Sequence, residues 1–150
     1  MYRRLIVSVH GGPNDQRAID LAMAVASRTG GNDLILVYVV EVPQRFALDA
    51  DLPDEIRRGE EILARAEDYA RSHIEGQWKR VLTELLQARF AASAIVDEAV
   101  ERGADVIVLA TSNQHRFGVT TQGETLPYVL DNAPCDVLVL RTISEGGDFS

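Results

Sequence analysis

Two stretches of this 150-residue chain carry side chains that could do chemistry. The first is the turn His10-Gly11-Gly12, where an imidazole could stack on a ring, form hydrogen bonds, or carry a positive charge if its pKa were raised. The second is the polar stretch 111–122, in which His115 and Arg116 could meet an anion. No Asp or Ser follows His10 at a spacing that fixes a catalytic triad. We therefore assign no catalytic residue and interpret both stretches as candidate binding elements.

The remaining reactive side chains are scattered. The chain has three histidines and one cysteine, and their spacing forms no metal-binding cluster, so we predict no metal site. His73 falls on or near the inner stripe of a predicted helix, which favours a structural role. Cys135 opens an apolar run and is predicted to be buried and inert. A single cysteine excludes an intrachain disulfide and fits a reducing compartment.

Composition restricts the possible partners. Charged residues make up 25% of the chain and apolar residues 46%, as in an ordinary globular domain. The net charge of −8 argues against a nucleic-acid partner, which would need a basic face. No apolar run approaches the roughly 20 residues that span a bilayer. We expect a cytoplasmic protein without membrane insertion.

The elements that must position these residues can be predicted from hydrophobic periodicity. Short apolar runs are typical of buried strands, and residues 77–87 form a weaker one centred on 81–86. The other four predicted strands are Leu5–Val9, Leu34–Val40, Val106–Ala110 and Val137–Leu140. The segment 43–53 is predicted to be the longest loop by composition, and 111–122 a polar loop. The 12-residue connection 111–122 is long for a strand-to-helix loop, which leaves two interpretations open, a ligand-binding loop or a solvated connection.

Four helices alternate with these strands. The first is expected to be capped by Asn14 or Asp15 and stopped by Gly30-Gly31. Two more are predicted from apolar stripes, over 54–74 and over 91–102, and about three further turns precede the last strand. The predicted inward residues are Ala18, Leu21, Ala22 and Val25 in the first helix, Ile56, Leu63, Ala66, Ala70 and Ile74 in the second, and Ile95, Ala99 and Val100 in the third.

This alternation predicts a doubly wound α/β domain with a five-stranded parallel sheet in the order 3-2-1-4-5. Strands 1 and 4 would then lie side by side, and the His10 turn would face the 111–122 stretch across one crevice. We expect a single domain over 1–143 and a disordered tail over 144–150. A receiver domain also has five strands, but it would need acidic residues after strand 1, where His10-Gly11 stands.

Four segments distributed between residues 6 and 141 resemble the universal stress protein family, and the match covers nearly the whole chain. They are Ile6–Ala22 with its His10-Gly11-Gly12 turn, Val37–Val40, Ala104–Leu109, and Ala133–Arg141, which fits the family's last strand almost letter for letter. The resemblance implies an adenine nucleotide alpha hydrolase-like fold. It also implies a homodimer, which we expect to form through the last strand, Val137–Leu140, because that strand is apolar on both faces.

ATP-binding members of that family carry a phosphate loop of Gly, two residues, Gly, nine residues, Gly and then Ser or Thr. The matching positions here are Ala110, Asn113, Gly123 and Glu124, so one glycine remains. Asn113 tolerates left-handed backbone, and Ala110 is a mild change if its φ is ordinary. A carboxylate at Glu124 would repel a phosphate, by about 4 kcal/mol at 4 Å and an effective dielectric of 20.

The part of the implied site that would hold the nucleoside differs less from the ATP-binding members of the family than the phosphate loop does. His10 stands where ATP-binding members have Asp, and Gly11 follows it as in the family's turn. The main-chain contact to adenine would fall at Val39, and a backbone contact survives substitution. We therefore expect a degenerate ATP-binding loop, with either no nucleotide or a phosphate-poor one such as AMP or cAMP.

The sequence thus favours a regulatory, stress-response protein that is not an enzyme and acts through a partner protein, such as a transporter. An alternative is an ATP-binding member with slow hydrolysis, using Asn113, Gly123 and a repositioned Thr125. A third interpretation, a transferase or hydrolase on the related fold, has no visible nucleophile–base pair to support it.

Overall fold

The computed structural model describes the backbone of residues 2–74, 78–112, 115–116, 119–120 and 125–142. Strands and helices alternate through these residues, except that two short strands follow the fourth strand directly. The elements are β1 (Arg4–Ser8), α1 (Asn14–Val25), β2 (Asn32–Glu41), α2 (Pro53–His73), β3 (Trp78–Ala88), α3 (Ala91–Arg102), β4 (Val106–Ser112), β5 (His115–Arg116), β6 (Val119–Thr120), α4 (Thr125–Asn132) and β7 (Asp136–Thr142).

The main sheet confirms the predicted order. It runs β3-β2-β1-β4-β7 with every pair parallel, and β7 is the predicted fifth strand. β1 is central, with Leu5, Ile6 and Val7 paired to β2 on one side and to β4 on the other. All three are fully buried because helices cover both faces of the sheet.

Two cores lie on opposite faces of this sheet. One joins Leu5 and Val7 of β1 to the buried faces of α1 and α2, including Ile62 and Ala66. The other joins Ile6 to the buried faces of α3 and α4. Neighbouring side chains of a strand point to opposite faces, so β1 contributes to both cores. The first two helices therefore cover one face and the last two the other, and the strand order reverses between β1 and β4, which places a crevice at the carboxyl ends of these two strands.

The first helix ends earlier than predicted, so the expected stop at Gly30-Gly31 is wrong. α1 ends at Val25, and Ala26 is extended and forms a parallel bridge with Tyr2. The N–H of Tyr2 donates to the Val25 carbonyl at 3.4 Å, and the N–H of Ser27 donates to the Tyr2 carbonyl at 2.7 Å. Pairing with the N-terminal segment therefore draws the chain out of the helix. Gly30 and Gly31, with φ of 92° and 74°, instead form the turn into β2.

The inward face of α3 also differs from the prediction. Ile95 and Ala99 are buried as expected, but Val100 is 61% exposed. Ala92 and Val96 complete the buried face instead. One residue is a step of about 100° around a helix, so the position after Ala99 already turns toward solvent.

Two further segments differ from the sequence prediction. The 111–122 stretch, predicted to be a loop, contains the short antiparallel pair β5 and β6. His73 is exposed, outside the inner stripe of α2, and its ring stacks on Tyr69 with centroids 4.1 Å apart. The predicted disordered tail lies outside the described residues. Among the helices of the described part, none combines the length and apolar character needed to cross a bilayer.

Candidate functional site

The crevice at the carboxyl ends of β1 and β4 collects the predicted site residues that the structure describes. His10 and Gly11 follow β1 directly, and Ala110 lies near the end of β4. Val39 lies near the end of β2, the other neighbour of β1. Thr125 is the first residue of α4 and is partly buried. Asn113, Gly123 and Glu124 lie outside the described residues.

Asp15 organises the β1 side of the crevice. Its carboxylate accepts hydrogen bonds from the main-chain N–H of His10 at 2.9 Å and of Gly11 at 2.7 Å. The side chain is buried, with the residue only 8% exposed. Asp15 was predicted as a possible helix cap, but no side chain caps α1, whose N-cap residue is Pro13. The sequence offered one signal for this role, an acidic residue shortly after a glycine turn.

Gly11 is required by the shape of this turn. Its φ is 101°, in the region that side-chain-bearing residues rarely adopt. A Cβ on Gly11 would lie 2.8 Å from Cδ1 of Ile62 in α2. The turn therefore packs directly on the core helix. A Cβ on the neighbouring Gly12 would instead meet no other atom within 4 Å.

His10 is exposed and follows the end of β1. Enough protein nevertheless surrounds the imidazole that desolvation lowers its pKa from the ordinary 6.5, with the Asp15 carboxylate acting in the opposite direction. A positive charge on His10 would have required a raised pKa, whereas the pKa is lowered. At neutral pH the ring is uncharged and can stack or form hydrogen bonds.

Val39 presents main-chain groups to the crevice. The N–H of Val9 donates to the Val37 carbonyl at 2.9 Å, and the N–H of Asp33 donates to the Arg3 carbonyl, so odd-numbered residues of β2 point toward β1. The paired residues of β1 end at Ser8, opposite Val37. The N–H and C=O of Val39 therefore face the β1 side beyond the end of that strand, while its side chain packs in the α3-side core.

Ala110 is a regular strand residue, paired with Leu140 of β7 and 7% exposed. Extended backbone suits any residue, so alanine in place of glycine adds no strain here.

Cys135 is partly buried, not fully buried as predicted, and burial raises the pKa of its thiol, which agrees with low reactivity. Within the described residues, no three His, Cys, Asp or Glu side chains gather where a metal ion could bind.

A small groove of about 90 Å³ opens beside the same turn, between the start of α1 and α2. Gly11, Asp15, Arg65 and Tyr69 are among the residues that line it. Nucleotide-sized ligands occupy pockets of about 300 Å³ or more. The groove is therefore too small for a nucleotide, and the crevice by Val39 is the better candidate.

A covered parallel sheet in this order, with a crevice between its first and fourth strands, defines a doubly wound domain of the adenine nucleotide alpha hydrolase-like class. A model described as "Universal stress protein family" matches residues 1–141. The chain belongs to the universal stress protein family.

Individual relatives agree with this assignment. A universal stress protein of Thermus aquaticus is 28% identical over 144 residues, covering 94% of this chain and 100% of the relative. A crystal structure of a universal stress protein in complex with cAMP matches with a TM-score of 0.67 and 22% identity, covering 93% of this chain and 97% of that one. The Archaeoglobus fulgidus protein in complex with dAMP matches with a TM-score of 0.66 and 20% identity, covering 92% and 97%.

Proposed function

We propose that this protein is a non-enzymatic regulator of the universal stress class that binds a phosphate-poor adenine nucleotide, AMP or cAMP, and discriminates against ATP. The observation that carries the proposal is the Asp15 carboxylate bound to the N–H groups of His10 and Gly11. Main-chain N–H groups at such a turn are the usual donors to a phosphate. Here a side chain of the protein already holds both.

Charge at the turn after β1 supports this discrimination. Asp15 contributes a buried carboxylate, and the lowered pKa of His10 leaves its imidazole neutral at physiological pH. The sequence places a further acidic residue, Glu124, directly before the first residue of α4. A triphosphate carries several negative charges and a monophosphate at most two, so repulsion by these carboxylates weighs most heavily on ATP.

The nucleoside half of the crevice favours an adenine ring. The N–H and C=O of Val39 together offer one donor and one acceptor, which match the acceptor and donor on the adenine edge. The neutral ring of His10 is available for stacking or a hydrogen bond. The relatives in complex with cAMP and with dAMP carry ligands with a single phosphate, which agrees with this ligand class.

Calorimetric titration of the full chain with AMP, cAMP and ATP tests the proposal. We expect AMP or cAMP to bind and ATP to bind more weakly than either. Glu124→Ser should then raise the ATP affinity at least about tenfold, because it removes a like charge that the proposal places near the phosphates. Glu60→Ser, which makes the same charge change on the exposed face of α2, should leave it unchanged. Micromolar ATP affinity in the unmodified protein would overturn the proposal.

Thr125 favours a second candidate, an ATP-binding member with slow hydrolysis. It begins α4 and is partly buried, so its hydroxyl stands at a helix N-terminus, where a phosphate can be held. Release of phosphate from ATP over many turnovers, abolished by His10→Ala, would support this candidate. We propose instead that the nucleotide controls binding to a partner protein, with no turnover.

A further inference from the structure

The outer edge of β3 is an unpaired strand edge within the described part of the chain. β3 is 11 residues long and pairs with β2 alone. The N–H of Val42 donates to the Ala88 carbonyl, so even-numbered residues of β3 point their main chain toward β2. The odd-numbered residues therefore point outward, away from the sheet.

Both ends of this outer edge are covered. The Arg71 guanidinium donates to the outward carbonyl of Val81 at 3.3 Å. At the other end, the Gln87 amide donates to the carbonyls of Leu48 and Ala50 at 3.1 and 3.2 Å, which folds the segment after β2 against the strand. Between them, the main chains of Thr83 and Leu85 remain as the open part of the edge.

A groove flanks this open edge on each face of the sheet. One, of about 440 Å³, is lined by Leu48, Asp49, Leu85 and Gln87. The other, of about 480 Å³, lies between the end of β3 and α3, with Leu86 among its apolar residues. Leu85 packs with the α2-side core and Leu86 with the α3-side core, so the two grooves lie on opposite faces. Leu48 lines both and is 49% exposed.

The charged residues of these grooves are mainly acidic. Asp97 and Glu101 of α3 are exposed, as is Asp49 across the edge, and none of the three has an ion pair within the described residues. Glu98 is paired with Arg102. Arg89 is the basic residue here, and its guanidinium donates to the Val42 and Pro43 carbonyls at 3.3 and 2.5 Å. The grooves therefore have unbalanced negative charge beside apolar surface.

We propose that the β3 edge binds a short extended segment of another protein in which aliphatic and basic side chains alternate. The segment would add as a strand, with its main chain paired to the outward groups of Thr83 and Leu85. Alternate side chains of an added strand point to opposite faces, which delivers one set to each groove. Aliphatic groups would contact Leu48, and Lys or Arg would face Asp97 and Glu101. This site is separate from the nucleotide crevice and does not depend on the proposed ligand.

The probe is a synthetic seven-residue peptide of alternating Val and Lys, titrated into the isotopically labelled full chain and followed by NMR. We expect saturable binding with the largest amide shifts at Thr83 and Leu85, and slower hydrogen exchange there. Raised salt should weaken the binding, because the attraction is partly electrostatic. A matched peptide of alternating Val and Glu should bind at least about threefold more weakly. Equal binding of both peptides, or shifts that map elsewhere, would overturn the proposal.

Two variants separate the charge and the main-chain contributions. Asp97→Asn with Glu101→Gln should weaken binding about threefold or more, because both exposed acidic partners of the basic side chains are lost. Glu60→Gln with Glu61→Gln, an equal charge change on the exposed face of α2, should not. Thr83→Pro removes an outward N–H without affecting the β2 ladder, and should reduce binding without unfolding the chain. If Thr83→Pro instead lowers the mass of a β3-mediated self-associated species, the edge serves a second copy of this chain and the proposal is wrong.

Discussion

At the scale of single residues, the turn after β1 is held by backbone geometry and by one carboxylate. Gly11 adopts φ of 101° and leaves Ile62 room to pack, while Asp15 takes up the N–H groups of the turn. Each feature fixes the direction in which His10 leaves the strand. The direction in which the His10 side chain leaves the strand therefore depends on the backbone of its neighbour Gly11 and on the side chain of Asp15.

Gly11→Ala should destabilise the protein by about 1–3 kcal/mol. The added methyl group would be strained at this φ and would lie 2.8 Å from Ile62 Cδ1. Chemical denaturation monitored by circular dichroism measures the loss. Gly12→Ala is the matched control, because open space surrounds that position, and its change should stay within about 0.5 kcal/mol. Equal effects of the two substitutions would contradict the strain at Gly11.

The pKa of His10 in the folded protein should lie below the ordinary value of 6.5. The folded protein holds this proton less tightly than the unfolded chain, so the stability linked to His10 is complete above pH 6.5 and declines as the pH falls below it. NMR titration of the His10 ring should give a midpoint below 6.5. Asp15→Asn should move it lower still, because the carboxylate is the group that opposes the desolvation effect. A midpoint above 6.5, or an upward shift in the variant, would contradict this assignment.

At the scale of elements, the sequence predicted most strands to within a few residues because a covered parallel sheet requires continuous apolar runs. It did not predict where α1 ends, because the N-terminal residue Tyr2 decides that point through a bridge to Ala26. It also did not predict the role of Asp15, which follows from the path of a turn and not from spacing. The family resemblance implied a main-chain contact at Val39, but that its N–H and C=O lie beyond the end of β1 follows only from the strand register.

Gly59 in the middle of α2 shows how packing overrides helix propensity. On an exposed helix, Gly→Ala stabilises by about 1 kcal/mol. Here the new Cβ would lie 2.6 Å from Tyr38 Cδ2 and 2.8 Å from Leu85 Cδ1, and overpacking costs about 1–3 kcal/mol. Gly59→Ala should therefore lower the free energy of unfolding. The exposed neighbour gives the control, since Glu60→Ala should change it by no more than about 0.5 kcal/mol. Stabilisation by Gly59→Ala would show that α2 can move away from the sheet.

At the scale of the whole molecule, the sheet has two outer edges with different characters. The β3 edge is blunted at both ends by Arg71 and Gln87 and is flanked by acidic residues. The β7 edge instead carries Val139, which is 38% exposed, with Leu138 and Leu140 only partly buried beside it. An apolar edge of this kind suits pairing with an identical edge, because a two-fold interface sets the same residues against one another.

We propose that the expected homodimer forms by antiparallel pairing of two β7 strands, with Val139 of each copy at the two-fold axis. Leu138 of one copy would face Leu140 of the other on each side of the two-fold axis, so the apolar residues at the centre of the edge match. Val139→Lys should then shift the sedimenting species from dimer to monomer, because two ammonium groups would meet at the two-fold axis. Val100→Lys, at a more exposed valine on α3, should leave the mass unchanged. This interface would be excluded if the unmodified protein were monomeric at micromolar concentration. It would also be excluded if the dimer persisted in Val139→Lys, and another element or partner would then have to cover the β7 edge.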